Sequence, residues 1–212
     1  MICVSLKEKN TGLCLKALSK LSFAEIRLDQ ISLSQKDVKK IFSSHPKLIA
    51  TCRPGNYSES KRKDLLIEAV QAGAAFVDME IGTRENVLRE VMQKALKHDC
   101  KVILSFHDFC GTPSLKRLQQ LINIGFSRGA DIVKIACHIQ TKQENSRLLG
   151  LLQDKRPVVV IGLGKKGRIT RISSVFCGSP FTYASLAKGK ETAEGQLDKK
   201  TLQSMFMRIH HE

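Results

Sequence analysis

Short β-branched runs alternate with segments of helical period along the whole chain, and this alternation constrains the fold more than any other feature. Strand candidates are Ile2–Leu6, Ala24–Leu28, Lys47–Arg53, Phe76–Ile81, Lys101–His107, Ile132–Ala136, Val158–Leu163 and Ser174–Gly178. Between them, 64–72, 83–98, 114–126, 141–152 and 198–209 carry apolar residues at helical spacing. In 83–98 these are Val87, Leu88, Val91 and Ala95. Thr83 and Thr112 or Ser114 suit N-caps, and Glu85 and Glu90 favour the start of their helix. Lys36, Lys39 and Lys40 read as helix surface. Strict β/α alternation requires a parallel sheet. Eight repeats in 212 residues favour an α/β fold closed as a (β/α)8 TIM barrel, a single domain over 1–212, above an open doubly wound sheet.

The strands are interrupted in a consistent way. The second reads Glu25-Ile26-Arg27-Leu28-Asp29, its charges alternating and so sharing one face. The third ends Thr51-Cys52-Arg53, the fourth carries Asp78 and Glu80, the fifth Ser105 and His107, and the sixth Lys134 between Val133 and Ile135. A single strand lysine usually reaches solvent along its own stem, and a single histidine usually serves a structural bond. Five consecutive strands with polar residues near the C-terminal end, on one side by parity, resist that explanation. In a barrel, that end is the mouth, where chemistry is done.

A lysine inside an apolar strand is desolvated, which favours the neutral amine. A neutral amine attacks a ketone and forms an imine, whose positive charge acidifies the neighbouring C–H. A histidine can take that proton. A carboxylate such as Glu80 can hold the imidazole in the useful tautomer. Arginines such as Arg53 and Arg171 can bind a substrate carboxylate through two hydrogen bonds.

The charge balance is +15, from 35 Lys and Arg against 20 Asp and Glu. Nucleic acid or an anionic substrate could account for it. No Trp is present and no basic–aromatic ladder, so most of the excess reads as a solvated basic surface, with no nucleic acid partner. The longest apolar runs are too short to cross a bilayer. The first ten residues lack the pattern of a signal peptide. The seven cysteines are scattered without a CxxC pair, which suits reduced thiols in the cytoplasm better than zinc or disulfides. His45, His98, His138, His210 and His211 fall on expected loops or helix ends. No metal site is expected.

These residues resemble the type I 3-dehydroquinate dehydratase family of the shikimate pathway. The resemblance rests on ExRxD (Glu25–Asp29), TxR (Thr51–Arg53), DxE (Asp78–Glu80), SxHDF (Ser105–Phe109), KIA (Lys134–Ala136), Ile169-Thr170-Arg171, FxGS (Phe176–Ser179) and Gly195-Gln196. Each is short, and their order on successive strands makes the set specific. The resemblance implies a (β/α)8 barrel, a homodimer, no cofactor, and a syn elimination of water from 3-dehydroquinate. Lys134 would form the imine, His107 would move the protons and Glu80 would orient His107. Ser5, Glu25, Arg27, Arg53, Arg171, Thr192 and Gln196 would hold the substrate, the last two from a loop that closes as a lid.

The chain departs from the family pattern in four places, one of them the stretch between Phe181 and Gln196, which is slightly longer than usual. The chain also has Asn56-Tyr57-Ser58-Glu59-Ser60 after Arg53, Cys137-His138-Ile139 in place of a methionine–proline stretch, and Thr192-Ala193-Glu194-Gly195-Gln196 where Ser-Ala-Pro-Gly-Gln is usual. Competing readings are a dinucleotide fold, from the GxGxxG spelled by 162–167, a phosphate-binding barrel, a lysine aldolase, and a basic nucleic-acid-binding module.

Overall fold

The computed structural model describes residues 1–210. Its elements run β1 (Ile2–Leu6), α1 (Thr11–Leu18), β2 (Ala24–Arg27), α2 (Gln35–Phe42), β3 (Leu48–Thr51), α3 (Glu59–Gln71), β4 (Phe76–Glu80), α4 (Glu85–Lys97), β5 (Lys101–Asp108), α5 (Leu115–Ser127), β6 (Ile132–His138), α6 (Lys142–Gly150), β7 (Val158–Leu163), α7 (Arg168–Ser173), β8 (Thr182–Ser185) and α8 (Lys199–His210). The strands form one sheet in the order β7-β6-β5-β4-β3-β2-β1-β8. Sequential neighbours in one sheet, each pair joined by a helix, are the topology of the (β/α)8 class. His211, expected on a loop or helix end, lies outside the described residues.

By its internal packing the chain divides into two compact units, one of Ser5–Leu104 and one of Met1–Val4 with the chain from Ser105 onward. In the first, β2, β3 and β4 pair in parallel, with Glu25 opposite Ile49, Arg27 opposite Thr51 and Thr51 opposite Asp78. Helices cover these strands with buried faces: Val38, Ile41 and Phe42 from α2, Leu65, Leu66, Ala69 and Val70 from α3, Leu88, Val91 and Ala95 from α4. Ser34 and Asp37 close a capping box at α2, and Ser58 caps α3.

In the second unit β6 pairs in parallel with β7, placing Lys134 opposite Val159. Helix α5 buries Leu118, Leu121 and Ile122 and brings Gly125 against Val133, where a Cβ would lie 2.5 Å from the valine methyl. Ser114 caps α5, its hydroxyl accepting from the Arg117 N–H. Thr141 and Glu144 form a capping box at α6.

The structure corrects several sequence expectations. Ser174–Gly178 is not the eighth strand: Ser174–Cys177 is a 3₁₀ turn running on from α7, and Gly178, at φ 108°, ends it. The strand is Thr182–Ser185, where a β-branched and an aromatic residue adjoin. Strand β2 stops at Arg27, so Asp29 lies in a 3₁₀ turn, outside the alternation. Helices α1 and α7 span eight and six residues, too few for a periodic signal. Arg84, not Thr83, occupies the N-cap position of α4, and Glu90 pairs with Lys63 from within that helix. His138 ends β6 instead of lying in a loop. The GxGxxG segment follows β7 and opens a helix of six residues with one strand still to come, unlike a dinucleotide fold.

Candidate active site

Each unit carries a set of polar side chains on its strands and the segments that adjoin them. In Ser5–Leu104 the set is internally paired. Glu25 is 4% exposed, and both of its carboxylate oxygens accept hydroxyls, from Ser5 at 2.6 Å and Thr51 at 2.9 Å. Arg27 grips Asp29 through two nitrogens, at 3.0 and 2.6 Å. Arg53 donates to Glu80 and to Asp78, each at 2.7 Å. Burial opposes the charge on Arg53, but Asp78, Glu80 and Glu25 outweigh it and hold its pKa above the ordinary arginine value. Arg27 is likewise raised: burial works against it, the Asp29 bond and Glu25 for it. The Asn56 amide donates to the Asp29 carbonyl at 2.8 Å, so the divergent loop after β3 fastens the turn that carries Asp29.

The second unit is arranged otherwise. Lys134 sits mid-strand on β6, 6% exposed, between fully buried Val133 and Ile135. Its Nζ lies 4.4 Å from the centroid of the Tyr183 ring on β8. His107 stands on β5, which adjoins β6 in the sheet. Its imidazole stacks on Phe109 at 5.9 Å with planes 15° apart, and Phe109 is largely exposed.

Arg171, on α7, is 1% exposed. Its one described hydrogen bond is a long one, Nη2 to the Glu194 carbonyl at 3.4 Å, and Nε has no partner among the described residues. Burial, and then the nearby Arg168, push its pKa down to about 10. A buried guanidinium without a carboxylate is costly unless an anion arrives. The turn before it is locked: Thr170 Oγ1 accepts from the Gly162 N–H at 2.7 Å and donates to the Gly167 carbonyl at 2.8 Å. A Cβ on Gly167 would lie 2.4 Å from the Gly162 carbonyl carbon, so this turn requires glycine.

The loop before α8 folds onto that turn. Gln196 accepts at Oε1 from the Thr192 N–H and hydroxyl, at 2.8 and 3.2 Å. Gly164 N–H donates to the Glu194 carbonyl at 3.3 Å. His138 Nε2 lies 4.0 Å from Glu194 Oε2.

Of the residues expected at the site, Ser5, Glu25, Arg27, Arg53 and Glu80 fall in the first set, and His107, Lys134, Arg171, Thr192 and Gln196 in the second. Sequence reasoning assigned no role to Asp78 or Asp29, which complete the ion pairs, to Thr51, whose hydroxyl donates to Glu25, or to Tyr183. The DxE alternation was a signal for Asp78. Tyr183 was hidden because the eighth strand was placed too early. His45 is a structural histidine, its Nε2 at 2.9 Å from the Leu21 carbonyl and its Nδ1 accepting from the Lys47 N–H at 3.1 Å. Among the described residues, no cluster of three His, Cys, Asp or Glu side chains could hold a metal ion. Among the described residues, no helix is long and apolar enough to cross a membrane.

Comparison with known proteins identifies the family. The 3-dehydroquinate dehydratase of Methanocaldococcus jannaschii is 32% identical over 218 residues, covering 97% of each chain. That of Dehalococcoides mccartyi strain 195 is 32% identical over 206 residues, covering 93% of this chain and 90% of its own. The crystal structure of a type I 3-dehydroquinate dehydratase from Clostridium difficile, with covalent modified comenic acid, superposes with a TM-score of 0.87 at 26% identity, over 99% of this chain and 92% of its own. The profile of one family matches residues 2–212, and the chain belongs to that family, the type I 3-dehydroquinases.

Proposed function

We infer that the chain removes water from 3-dehydroquinate to give 3-dehydroshikimate, the dehydration step of the shikimate pathway, through an imine on Lys134. The observation that carries this reading is the Lys134 amine buried within an apolar strand. As the free amine, a lysine so placed can act as a nucleophile. Its lone pair attacks the C3 ketone, and the carbonyl oxygen leaves as water once it has taken up protons. The resulting iminium draws electrons from C2, and His107 removes the C2 proton to leave an enamine. The enamine expels the C1 hydroxyl, which takes the proton from His107 and departs as water. Hydrolysis of the conjugated iminium consumes one water and releases product and lysine. The net change is the loss of one water.

Arg171 suits the substrate carboxylate because its charge has no internal carboxylate to pair with. Glu25, Arg27, Arg53, Ser5, Thr192 and Gln196 are assigned to the substrate's other oxygens. The resemblance further implies that Glu80 orients His107. No metal or organic cofactor enters the scheme. The family resemblance also supports one domain over 1–212 acting as a homodimer. The seven free thiols support a cytoplasmic setting.

Addition of 3-dehydroquinate alone should raise the absorbance of the conjugated enone product. Treatment with EDTA should leave the rate unchanged. An enzyme that stays inactive until a divalent ion is supplied would overturn this reading.

A further inference from the structure

We propose that Tyr183 is a positioning residue for Lys134, its ring face holding the lysine nitrogen and stabilising the positive charge of the iminium. The proposal rests on the imine reading above and extends it to a residue on β8. Nζ lies 4.4 Å from the Tyr183 ring centroid, within cation–π range. Both residues are buried, Lys134 at 6% exposure and Tyr183 at 4%, so the attraction acts with little solvent screening. The ring cannot easily turn away. Phe181, itself buried, meets it edge to face at 5.5 Å and 68°. The pairing of β6 with β7 fixes the backbone from which the lysine side chain extends.

The chemistry asks for such a surface. The nitrogen is neutral while it attacks and cationic as the iminium. A ring quadrupole attracts the cationic form and is nearly indifferent to the neutral one. The iminium is the species from which the C2 proton leaves, so a larger iminium population speeds turnover. Substrate affinity, set mostly by contacts at the carboxylate and hydroxyls, is affected little.

The test uses borohydride trapping in the presence of 3-dehydroquinate, together with steady-state kinetics. Phenylalanine and its mono-, di- and trifluorinated analogues are placed at 183, which drains the ring face stepwise at almost constant shape. Tyr183→Phe should trap and turn over within about threefold of the parent. Tyr183→Leu should lose about tenfold in both, with KM nearly unchanged. Along the fluorinated series the logarithm of kcat and of the trapping rate should fall together with each fluorine. A flat series overturns the proposal. A Tyr183→Phe loss as large as that of Tyr183→Leu also overturns it, because it would place the effect in the hydroxyl. The fluorinated series decides if Tyr183→Leu fails to fold. The parent separates this proposal from the reading beneath it. No adduct on Lys134 in the parent defeats the imine itself, whereas an adduct with a flat series defeats the role of Tyr183 alone.

Discussion

Arg53 is part-buried and Arg171 fully buried, and the two units treat these guanidiniums in opposite ways. Arg53 has two carboxylates at 2.7 Å and is held more firmly protonated than a free arginine. Arg171 has a backbone carbonyl at 3.4 Å, an unpartnered Nε and a lowered pKa. The first arrangement completes itself during folding. Its arginine is rigid, and its charge is already answered. The second stays incomplete until an anion binds. A pocket for a carboxylate substrate needs an arginine of the second kind, because only a guanidinium unsatisfied in the free protein gains a full ion pair on binding. The same contrast extends to the other side chains. Glu25 has both oxygens occupied by neighbours on its own sheet, whereas Lys134 faces an aromatic ring. The first set reads as a preorganised frame and the second as the reacting group.

The largest expected effect belongs to the second set. Lys134→Ala should reduce turnover to background and abolish borohydride labelling, which in the parent should fall on the single peptide containing Lys134. Labelling elsewhere, or near-parental activity in the variant, would break the assignment. His107→Ala comes next. Imine formation and proton transfer are separate steps, so this variant should still be trapped on Lys134 while kcat falls about 10²–10⁴-fold. Normal turnover would assign the base to another group.

The paired test of the two arginines sharpens the comparison directly. Arg171→Ala should lower kcat/KM by on the order of 2–5 kcal/mol, or about 30-fold to several thousand-fold. It should leave the melting temperature of the free protein unchanged or raised, since it removes a buried charge with no counter-charge. Arg53→Ala should do the reverse to stability. It removes the guanidinium from Asp78, 1% exposed, and from Glu80, and breaking a largely buried pair in this way costs about 3–5 kcal/mol. Thermal melts with and without 3-dehydroquinate separate the outcomes. Equal melting temperatures for the two variants would mean that the contrast has no energetic content.

Much of this was legible in the sequence, and the limits are physical. Seven of the eight strands lie where β-branched runs placed them, because a strand buried on both faces is written as a continuous apolar run. The polar residues at their ends stood out against that background. The eighth strand was misread because Val175-Phe176-Cys177 has the composition of a strand, while the left-handed glycine after it turns the same residues into a helix end. That error concealed Tyr183. The pairing of Arg53 was partly visible in the DxE alternation. The isolation of Arg171 was not, because the lack of a neighbouring carboxylate depends on how α7 and the loop before α8 fold together.

The smallest expected effect tests whether side chains or backbone hold that loop. Glu194 stands where the family usually has proline, and its carboxylate reaches His138 at 4.0 Å while 70% exposed. A pair so open to solvent contributes about 0–1 kcal/mol, so Glu194→Gln should change kcat/KM less than about threefold. Glu194→Pro should behave similarly, because the carbonyl at 194, which receives Gly164 N–H and Arg171 Nη2, survives the substitution. Gly195→Ala should be the damaging change in this segment. Gly195 has φ 74°, and a Cβ there would lie 2.1 Å from the Gly164 carbonyl oxygen, so the loop must leave the turn and release Arg171 from its one hydrogen bond. Kinetics of the three variants side by side decide the matter. If Glu194→Gln falls as far as Gly195→Ala, the carboxylate is the latch, and the loop is tied down by charge instead of by its backbone.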